Sequence, residues 1–512
     1  MFLLQMLNCV LIFYYAFYFL RRKYILLTVR RKLSKNEKER TKKGKTATSN
    51  NLPECCDFPG VSVIIPAHNE ALTIVETVRS VLVENYNKAE IIVVDDGSED
   101  RTSGVLIKTF RLSKINEMFP AGDSPAHTKS SFASIESISA LVSQSEILPS
   151  LSGKNAAAAA SIFFSEEFSH PIYLLRKAQA GKSAALNSGI CFSHYSYVLC
   201  MDADSSLSYC KKNAATSPHR IGRHIIKYAG PHTTISHATI LKMMTLVMES
   251  PETSALGGRL LPFPQERNLL NLLQRLEYSY VFNVTHPYYS LKNTMLLISG
   301  AFGLYRKEAI MDAGLLSKDT IGEDMDLIFR IQATSTNVQK VCYSSHVSCS
   351  TQAPFHLKDL MRQRIRWQLG LRQNLLKHRD IARNSHLFST WLYLVLCELW
   401  APYFALSGLI MSALSLISGS FRDSPLSVIG PIFLIILALD IYDNVSVFIA
   451  CKKHFLRKLF LTLLLAVPMM IYHLFLSAAR LYGMIFHKKY EQSWGTIRRS
   501  SILPGSDRDD DS

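Results

Sequence analysis

Several patterns that would place this 512-residue chain in a common class of protein are missing from it. Its ten cysteines show neither CxxC…CxxC nor Cys/His metal spacing, so we expect reduced, mostly structural thiols and a main globular part that faces the cytosol. No GxGxxG follows the first predicted strand, which argues against a dinucleotide site of the usual kind. Acidic residues are fewer than basic ones, 41 against 57, so the formal net charge is +16.

The basic residues are clustered rather than spread along the chain. One cluster lies at residues 21–45 and a second at residues 358–379, and both adjoin apolar stretches. This placement favours a lipid bilayer over nucleic acid as the partner of the positive charge.

The first apolar stretch, Phe2 to Leu20, is followed directly by Arg21-Arg22-Lys23. It has no basic region before it and no small-residue cleavage site after it, so it does not have the pattern of a signal peptide. We predict a transmembrane helix at residues 1–23 and a basic linker at residues 24–57, which the positive-inside rule places in the cytosol.

The C-terminal part contains three more apolar stretches, Leu387 to Ile417, Leu426 to Ala450 and Leu459 to Phe486. Each is long enough to span about 30 Å of hydrocarbon. We therefore predict transmembrane helices within residues 387–487 and a cytosolic tail at residues 488–512. The expected protein is multi-pass, in the plasma or inner membrane.

With the N-terminus outside, the first helix leads to a catalytic domain in the cytosol. Three simple crossings after that domain would leave the basic tail outside, so we expect one further break in the apolar region. Splitting Leu387 to Ile417 would supply it, and so would a helix break at Pro468, which we prefer because proline can interrupt a helix.

The region between the apolar ends has an α/β pattern. Val61 to Ile65 and Ile91 to Val94 have the composition of buried strands, and Leu72 to Leu82 between them has helical apolar spacing. Strand, helix and strand at this spacing predict a right-handed βαβ unit with a parallel sheet. Leu256 to Leu260 and Leu296 to Phe302 are expected to add further strands.

We place the catalytic domain at residues 58–355, with polar insertions near residues 111–170 and 205–234. The first insertion has little apolar periodicity, so we expect a chain lacking Ser124 to Ser165 to fold. Residues 356–380 are predicted to form a basic amphipathic helix in the membrane interface.

Two carboxylates follow the strand Tyr197 to Met201 immediately. If the strand persists, Asp202 and Asp204 lie on the same face, at the sheet edge where open α/β folds bind ligands. Such a pair suits a hard divalent cation that is carried in by substrate phosphates. An isolated Asp-x-Asp is more often a solvated turn, so the function depends on the motifs that accompany it.

Five motifs in order carry a family resemblance. They are Pro66-Ala67-His68-Asn69-Glu70, Asp95-Asp96-Gly97-Ser98, Asp202-Ala203-Asp204, Gly322-Glu323-Asp324 and Gln363-Arg364-Ile365-Arg366-Trp367. Together they resemble family 2 glycosyltransferases of the processive membrane polysaccharide synthase type, which include hyaluronan, chitin, cellulose and poly-N-acetylglucosamine synthases. The last motif matches the family's QxxRW, and Ser493-Trp494-Gly495-Thr496 is similar to the ending of chitin and hyaluronan synthases.

The resemblance implies a GT-A-type fold, α/β with a mostly parallel sheet on the cytosolic side and transmembrane helices at both ends. It implies inverting transfer of a sugar, such as N-acetylglucosamine or glucose, from a UDP-sugar to a growing polysaccharide, with Asp324 as general base and Glu323 beside it. Asp204 and Asp202 would hold Mg2+ or Mn2+ at the departing diphosphate.

The remaining motif residues would bind the two substrates. Lys182 would meet the diphosphate, and Asp95 or Asp96 would bind the uracil. Gln363, Arg366 and Trp367 would meet the acceptor. The other positions assigned to nucleotide-sugar binding are Pro66, Asn69, Glu70, Asp202, Trp494 and Arg498.

Each motif alone has a plainer interpretation, as a turn, a helix start or a membrane anchor. Two other functions stay open: single-sugar transfer to a lipid such as ceramide or polyprenyl phosphate, and an inactive receptor with a decayed transferase domain. Retention of all the carboxylates argues against decay. The oligomeric state is left open.

Overall fold

The structure is a computed structural model. It describes residues 13–32, 58–114, 161–207, 238–263, 268–334, 340–383, 385–417, 438–447 and 455–487, except residues 15, 30, 440 and 446.

Ten strands within the described residues form one sheet. They are β1 (Val61–Ala67), β2 (Ala89–Asp96), β3 (Ser113–Lys114), β4 (Ser161–Ser165), β5 (Ile172–Lys177), β6 (Tyr197–Met201), β7 (Ser205–Ser206), β8 (Thr253–Pro262), β9 (Phe302–Arg306) and β10 (Lys340–Thr351). Their order across the sheet is β3-β4-β5-β2-β1-β6-β9-β8-β10-β7.

Twelve helices of the described residues are named α1 to α12 in chain order. They are α1 (Ile74–Leu82), α2 (Thr102–Phe110), α3 (Lys182–Phe192), α4 (Thr239–Glu249), α5 (Leu269–Tyr280), α6 (His286–Leu291), α7 (Lys307–Asp312), α8 (Glu323–Thr334), α9 (Leu357–Lys377), α10 (Ser385–Tyr393), α11 (Ala401–Ile417) and α12 (Phe455–Ile485). Short π-helical segments, Val281–Thr285 and Leu394–Leu399, follow α5 and α10, and a 3-10 turn, Arg379–Arg383, follows α9. Residues 13–32 form a further N-terminal helix.

The centre of the sheet is parallel, as the βαβ pattern predicts. β1 pairs in parallel with β2 and β6, and β2 pairs in parallel with β5. Successive residues of β1 alternate between the two cores, with Val63 and Ile65 on one face of the sheet and Ile64 on the other. Both faces of these strands are therefore buried, which accounts for their nearly continuous apolar sequence.

The sheet as a whole is mixed, so the prediction of a mostly parallel sheet is wrong. β9 runs antiparallel to both β6 and β8, and β4 runs antiparallel to β3 and β5. Only residues 166–171 join β4 to β5, which is too short for the crossover that a parallel pair needs. The sequence pattern of the first βαβ unit could not predict the directions of these other strands.

Parts of the predicted insertions belong to the sheet. β3 and β4 lie within residues 111–170, and β7 lies within residues 205–234, while residues 115–160 and 208–237 are outside the described part of the chain. Removing Ser124 to Ser165 would delete β4, so the premise that this segment lies outside the sheet is wrong for residues 161–165. The folding of the shortened chain stays a prediction. The strand expected at Leu296 to Phe302 begins only at Phe302.

The N-terminal helix packs against the rest of the protein beyond residue 23, the predicted end of the apolar segment. Ile25, Leu26 and Val29 are buried in the core below the sheet. The Lys23 ammonium lies 2.7 Å from a carboxylate oxygen of Asp443. The guanidinium of Arg22 lies 3.8 Å from the centre of the Tyr280 ring. These basic side chains therefore contact protein groups.

One described helix, α12, is long and apolar enough to cross a membrane, over Leu459–Ile485. A second pair, His386–Leu399 with Ala401–Gly408, meets the same criterion only when its two parts are counted together, and it is bent by 42°. Transmembrane segments at both ends are thus not found among the described residues. Residues 1–12 and 418–437 lie outside them.

The preferred helix break at Pro468 is wrong, because α12 continues through this residue. The bend lies instead at Trp400, within the stretch that was the other place considered for a break. Proline removes one hydrogen bond, and a helix that packs against neighbours, as α12 packs against α9 and α11, can keep its course.

The helix α9 lies against α8 at a very close approach. A Cβ atom added to Gly370 would lie 3.0 Å from the backbone nitrogen of Gly322 and 3.2 Å from its Cα. The Asn374 amide donates to the Gly322 carbonyl at 2.9 Å, and the Ile321 N–H donates to the Gln373 side chain at 2.8 Å. The start of α8 is therefore held to α9 at a distance that only glycine permits.

We expect Gly370→Ala to lower the thermal unfolding temperature of the purified protein and to reduce its activity. The added methyl group must push two backbones apart, and overpacking of this kind typically costs about 1–3 kcal/mol. Gly104→Ala is the matched control, because nothing lies within 4 Å of its added Cβ and alanine favours the helix α2. Equal unfolding temperatures for the two variants would contradict this account of the contact.

Candidate active site

The carboxyl ends of β1, β2 and β6 meet at one edge of the sheet. The strand β6 ends at Met201, and Asp202 and Asp204 belong to a turn in which the Ser205 N–H donates to the Asp202 carbonyl at 3.1 Å. The premise that the strand persists through both carboxylates is therefore wrong. Both side chains nevertheless line the same cavity, because the turn folds over the strand end.

The ammonium group of Lys182 lies between carboxylates of two different elements. It is 2.6 Å from Asp202 Oδ1 and 3.7 Å from Glu323 Oε1. Burial acts to lower the pKa of Lys182, but the negative charges of Asp202, Glu323 and Asp324 outweigh it and raise that pKa above its ordinary value. The group therefore stays cationic in the site.

The start of α8 presents two carboxylates to the cavity. Burial raises the pKa of Glu323 to about 6, although the charge of Lys182 opposes the rise. Asp324 accepts a hydrogen bond from the Gly300 N–H at 2.9 Å through Oδ2 and another from the Met325 N–H at 2.8 Å through Oδ1. These two backbone donors fix the orientation of the Asp324 carboxylate.

A third carboxylate on α8, Asp326, was not among the site residues predicted from the sequence. It is fully buried, and its oxygens lie 2.7 Å from His378, 2.8 Å from Lys377 and 2.8 Å from Arg330. Burial would raise the pKa of Asp326, but hydrogen bonds from His378 and Lys377 and the charge of Arg330 hold it well below its usual range. Asp326 thus ties α8 to the C-terminal end of α9.

Asp95 and Asp96 are buried and bound to their own loops. Asp96 accepts from the N–H groups of Ala180 at 3.0 Å and Gly181 at 2.7 Å, and it pairs with Lys177. Asp95 accepts from the Ser98 N–H at 2.9 Å. The carboxylate of Asp96 therefore shapes the loop that leads to Lys182.

The first motif lies at the same sheet edge but apart from the cavity. Pro66 is in β1, and Asn69 has a positive φ of 57° and accepts from the Glu99 N–H at 2.9 Å. Glu70 accepts from the Thr73 hydroxyl at 2.9 Å. The His68 ring joins two loops, with Nδ1 3.0 Å from the Asp96 carbonyl oxygen.

Gln363, Arg366 and Trp367 lie on α9 and line the cavity that Lys182 and the carboxylates line. The Trp367 side chain is 43% exposed. Gln363 lines the cavity, and its Oε1 is buried without a hydrogen-bond partner among the described residues. Trp494 and Arg498 lie outside the described part of the chain.

The cavity has a volume of about 840 Å³. It extends from Lys182 and the carboxylates, past Trp367, to side chains of α10 and α12 that include Tyr393 and Arg480. Charged side chains therefore line both ends, and the second end is formed by helices of largely apolar sequence.

The cavity offers few protein ligands for a metal ion. Among the described residues there is no group of three or more His, Cys, Asp or Glu side chains that could hold one. Asp202 and Asp204 offer hard oxygen ligands, and Lys182 already contacts one of them. This set suits a divalent cation that takes further ligands from a diphosphate, rather than a cation caged by protein alone.

We expect the stability of the protein to fall less steeply between pH 4.5 and pH 6 in Glu323→Gln than in the wild type. The raised pKa of Glu323 means that the folded state holds its proton more tightly than the unfolded chain. Its contribution to stability is complete below pH 4.5 and is lost as the pH rises through about 6. A rise from 4.5 to about 6 corresponds to about 2 kcal/mol.

Thermal unfolding of both proteins, followed at several pH values, measures this difference, and subtraction removes the contribution of other groups. Parallel curves for the two proteins over this range would contradict the burial of an ionisable Glu323.

Comparisons with known proteins show which family the chain resembles. Residues 62–115 match the family model described as glycosyl transferase family 2, and residues 233–477 match the model described as glycosyl transferase family group 2. A poly-beta-1,6-N-acetyl-D-glucosamine synthase of Staphylococcus epidermidis is 24% identical over 355 residues, which cover 66% of this chain and 64% of that protein. The synthase of Staphylococcus aureus strain COL is 24% identical over 63% of this chain and 57% of its own length. This chain thus matches less than two thirds of these relatives.

A mannosyltransferase of Pyrobaculum calidifontis, solved in complex with GDP-Man and Mn2+, has a similar fold. The TM-score is 0.50 at 15% identity, over 93% of this chain and 99% of that one. The fold is therefore GT-A-like, with the mixed sheet described above. The chain is a family 2 glycosyltransferase, related in sequence to the poly-beta-1,6-N-acetyl-D-glucosamine synthases.

Proposed function

We propose that this enzyme transfers a sugar, N-acetylglucosamine or a similar hexose, from a UDP-sugar to a growing polysaccharide. The observation that carries the proposal is one cavity with two chemically different walls. Lys182, Asp202 and Asp324 lie at one wall, and Trp367 lies on another. The first set suits a diphosphate and a reacting hydroxyl, and an indole suits the face of a pyranose ring.

The diphosphate of the donor would lie near Lys182. Asp204 and Asp202 would hold Mg2+ or Mn2+, which supplies neutralisation of the departing diphosphate when it is bound. The fold relative solved with Mn2+ and a nucleotide sugar supports this assignment. Lys182 contributes a fixed positive charge from the protein itself, next to Asp202.

Asp324 would act as the general base. It would take the proton of the acceptor hydroxyl as the acceptor oxygen forms a bond to the anomeric carbon and the bond from that carbon to the diphosphate breaks. A single displacement of this kind inverts the anomeric configuration. The N–H groups of Gly300 and Met325 hold the Asp324 carboxylate in place for the transfer. Glu323, beside it, would share the field of Lys182.

The acceptor would lie along α9. Trp367 offers a stacking surface, Gln363 offers an acceptor oxygen, and Arg366 adds a cation near the junction of the two substrates. Pro66, Asn69, Glu70 and the loops shaped by Asp95 and Asp96 would enclose the nucleoside. Trp494 and Arg498 would close over the nucleotide from the C-terminal tail.

We further propose an integral membrane protein of the plasma or inner membrane, multi-pass, with the catalytic domain in the cytosol. The apolar length of α12 and the continuity of the cavity with α10 and α12 support this placement. Incubating the purified enzyme with radiolabelled UDP-sugars tests the function. A long polymer is expected, whereas a single-sugar lipid or the absence of product would favour the other two functions considered.

We expect Asp324→Asn to lower the transfer rate by about 10²–10⁴-fold while UDP binding stays close to that of the wild type. The amide keeps the size of the side chain but cannot take a proton, and losing a general base typically has an effect of this size. Asp312→Asn is the control, because Asp312 is exposed at the end of α7. Turnover in Asp324→Asn equal to that of the control would show that Asp324 is not the base.

We expect activity to require Mg2+ or Mn2+ and to disappear after exhaustive treatment with EDTA. Asp204→Ala should weaken metal-dependent UDP binding more than Asp324→Asn does, since Asp204 offers a hard oxygen ligand at the strand end. Titration with UDP, in the presence and absence of the metal, measures UDP binding by the two variants. Full activity after EDTA treatment would remove the metal from the mechanism.

A further inference from the structure

A buried ion pair that joins one position of the fifth motif to α5 lies beside Trp367. Arg364, on α9, is 2% exposed, and its two terminal nitrogens lie 2.7 and 2.9 Å from the two carboxylate oxygens of Glu277 on α5. This two-point contact fixes the plane of the guanidinium as well as its position.

The guanidinium of Arg364 also contacts the indole of Trp367. Its central carbon lies 4.4 Å from the ring centroid, within the range of a cation–π interaction. Trp367 is partly exposed toward the cavity, so one side of its ring system contacts protein while the remainder is accessible to a ligand.

A tyrosine of the apolar helix completes the network. The Tyr472 hydroxyl, on α12, donates to Glu277 Oε2 at 2.6 Å, and it lies 3.5 Å from a terminal nitrogen of Arg364. Burial alone would raise the pKa of Glu277, but the charge of Arg364 and the hydrogen bond from Tyr472 lower it below its ordinary value. Glu277 is therefore anionic at neutral pH and keeps the pair charged.

We propose that Glu277 and Arg364 are positioning residues for Trp367, and that Tyr472 links this network to α12. Glu277 orients the guanidinium, and the guanidinium sets the angle at which the indole faces the cavity. Both residues line the cavity, and neither belongs to the group of Lys182, Asp202 and Asp324 at its charged wall. Its effect on acceptor binding rests on the proposed function of Trp367, whereas its effect on the orientation of the indole does not.

Two measurements test the proposal separately. The first follows the fluorescence of Trp367 in the full-length protein with the other three tryptophans, Trp391, Trp400 and Trp494, replaced by phenylalanine. In this background we expect Arg364→Lys to raise quenching of Trp367 by acrylamide about twofold, because lysine keeps the charge but loses the planar stack and the two-point contact.

The second measurement uses the native tryptophans and compares donor with acceptor kinetics. We expect Arg364→Lys to raise the KM for an added oligosaccharide acceptor about tenfold, the size expected from losing a desolvated cation–π contact. Hydrolysis of the UDP-sugar without acceptor should stay at the wild-type rate. A general loss of folding would lower both rates together.

Arg372→Lys is the matched control, since Arg372 is on the same helix but is not part of the cavity lining. Unchanged quenching of Trp367 in Arg364→Lys would overturn the proposal. Changed quenching with unchanged acceptor kinetics would leave the positioning intact and overturn the acceptor role of Trp367.

Tyr472→Phe provides the test if Arg364→Lys does not fold, because it removes one hydroxyl and leaves the ion pair in place. A smaller increase in quenching is expected from it. Quenching equal to that of the parent protein would overturn the link to α12.

Discussion

The rest of the site depends on the ion pairs that the Lys182 ammonium group makes with neighbouring carboxylates. Asp202, Glu323 and Asp324 come from a strand end and a helix start that are distant in sequence, and carboxylates brought together in a low-dielectric cavity repel one another. The cation between them offsets that repulsion. Its position in turn depends on Asp96, which binds the N–H groups of Ala180 and Gly181 immediately before α3. Asp96, one of the two residues expected to bind the uracil, therefore also positions the Lys182 ammonium group.

The same cavity contains both the carboxylates and Trp367 because α8 and α9 pack as one unit. The close approach of Gly322 and Gly370 sets the distance between the start of α8 and the middle of α9. Asp326, one turn further along α8, joins the C-terminal end of α9 through Lys377 and His378. A general base and an acceptor platform on separate loops would vary in separation, whereas two helices joined at two places keep it nearly constant.

The sequence predicted the central strands, the amphipathic helix α9 and the cavity-lining residues of three motifs. These features are local: apolar alternation, helical spacing, and short motifs at strand or helix ends. Glu277 and Arg364 could not be paired in this way, since 87 positions separate them and each looks like an ordinary surface charge. Asp326 was hidden for the same reason, because two of its three partners, Lys377 and His378, lie at the end of another helix. The mixed sheet and the unbroken α12 likewise depend on tertiary packing, which overrides the local preference of a proline or of a βαβ pattern.

Charged contacts also decide how the apolar helices meet the catalytic domain. Positive residues beside apolar stretches were interpreted as facing lipid headgroups, yet Arg22 stacks on Tyr280 and Arg364 binds Glu277. Tyr280 and Glu277 are three residues apart on α5, so they lie on neighbouring positions of one helix face. The N-terminal helix and the network that includes Tyr472 of α12 therefore converge on α5. Burying charge is costly, and an apolar contact of the same size would hold the helices together as firmly. What the charged pairs add is a defined angle, because a planar guanidinium accepts few arrangements of its partners. By this reasoning α5 is the element that fixes the position of the apolar helices relative to the walls of the cavity.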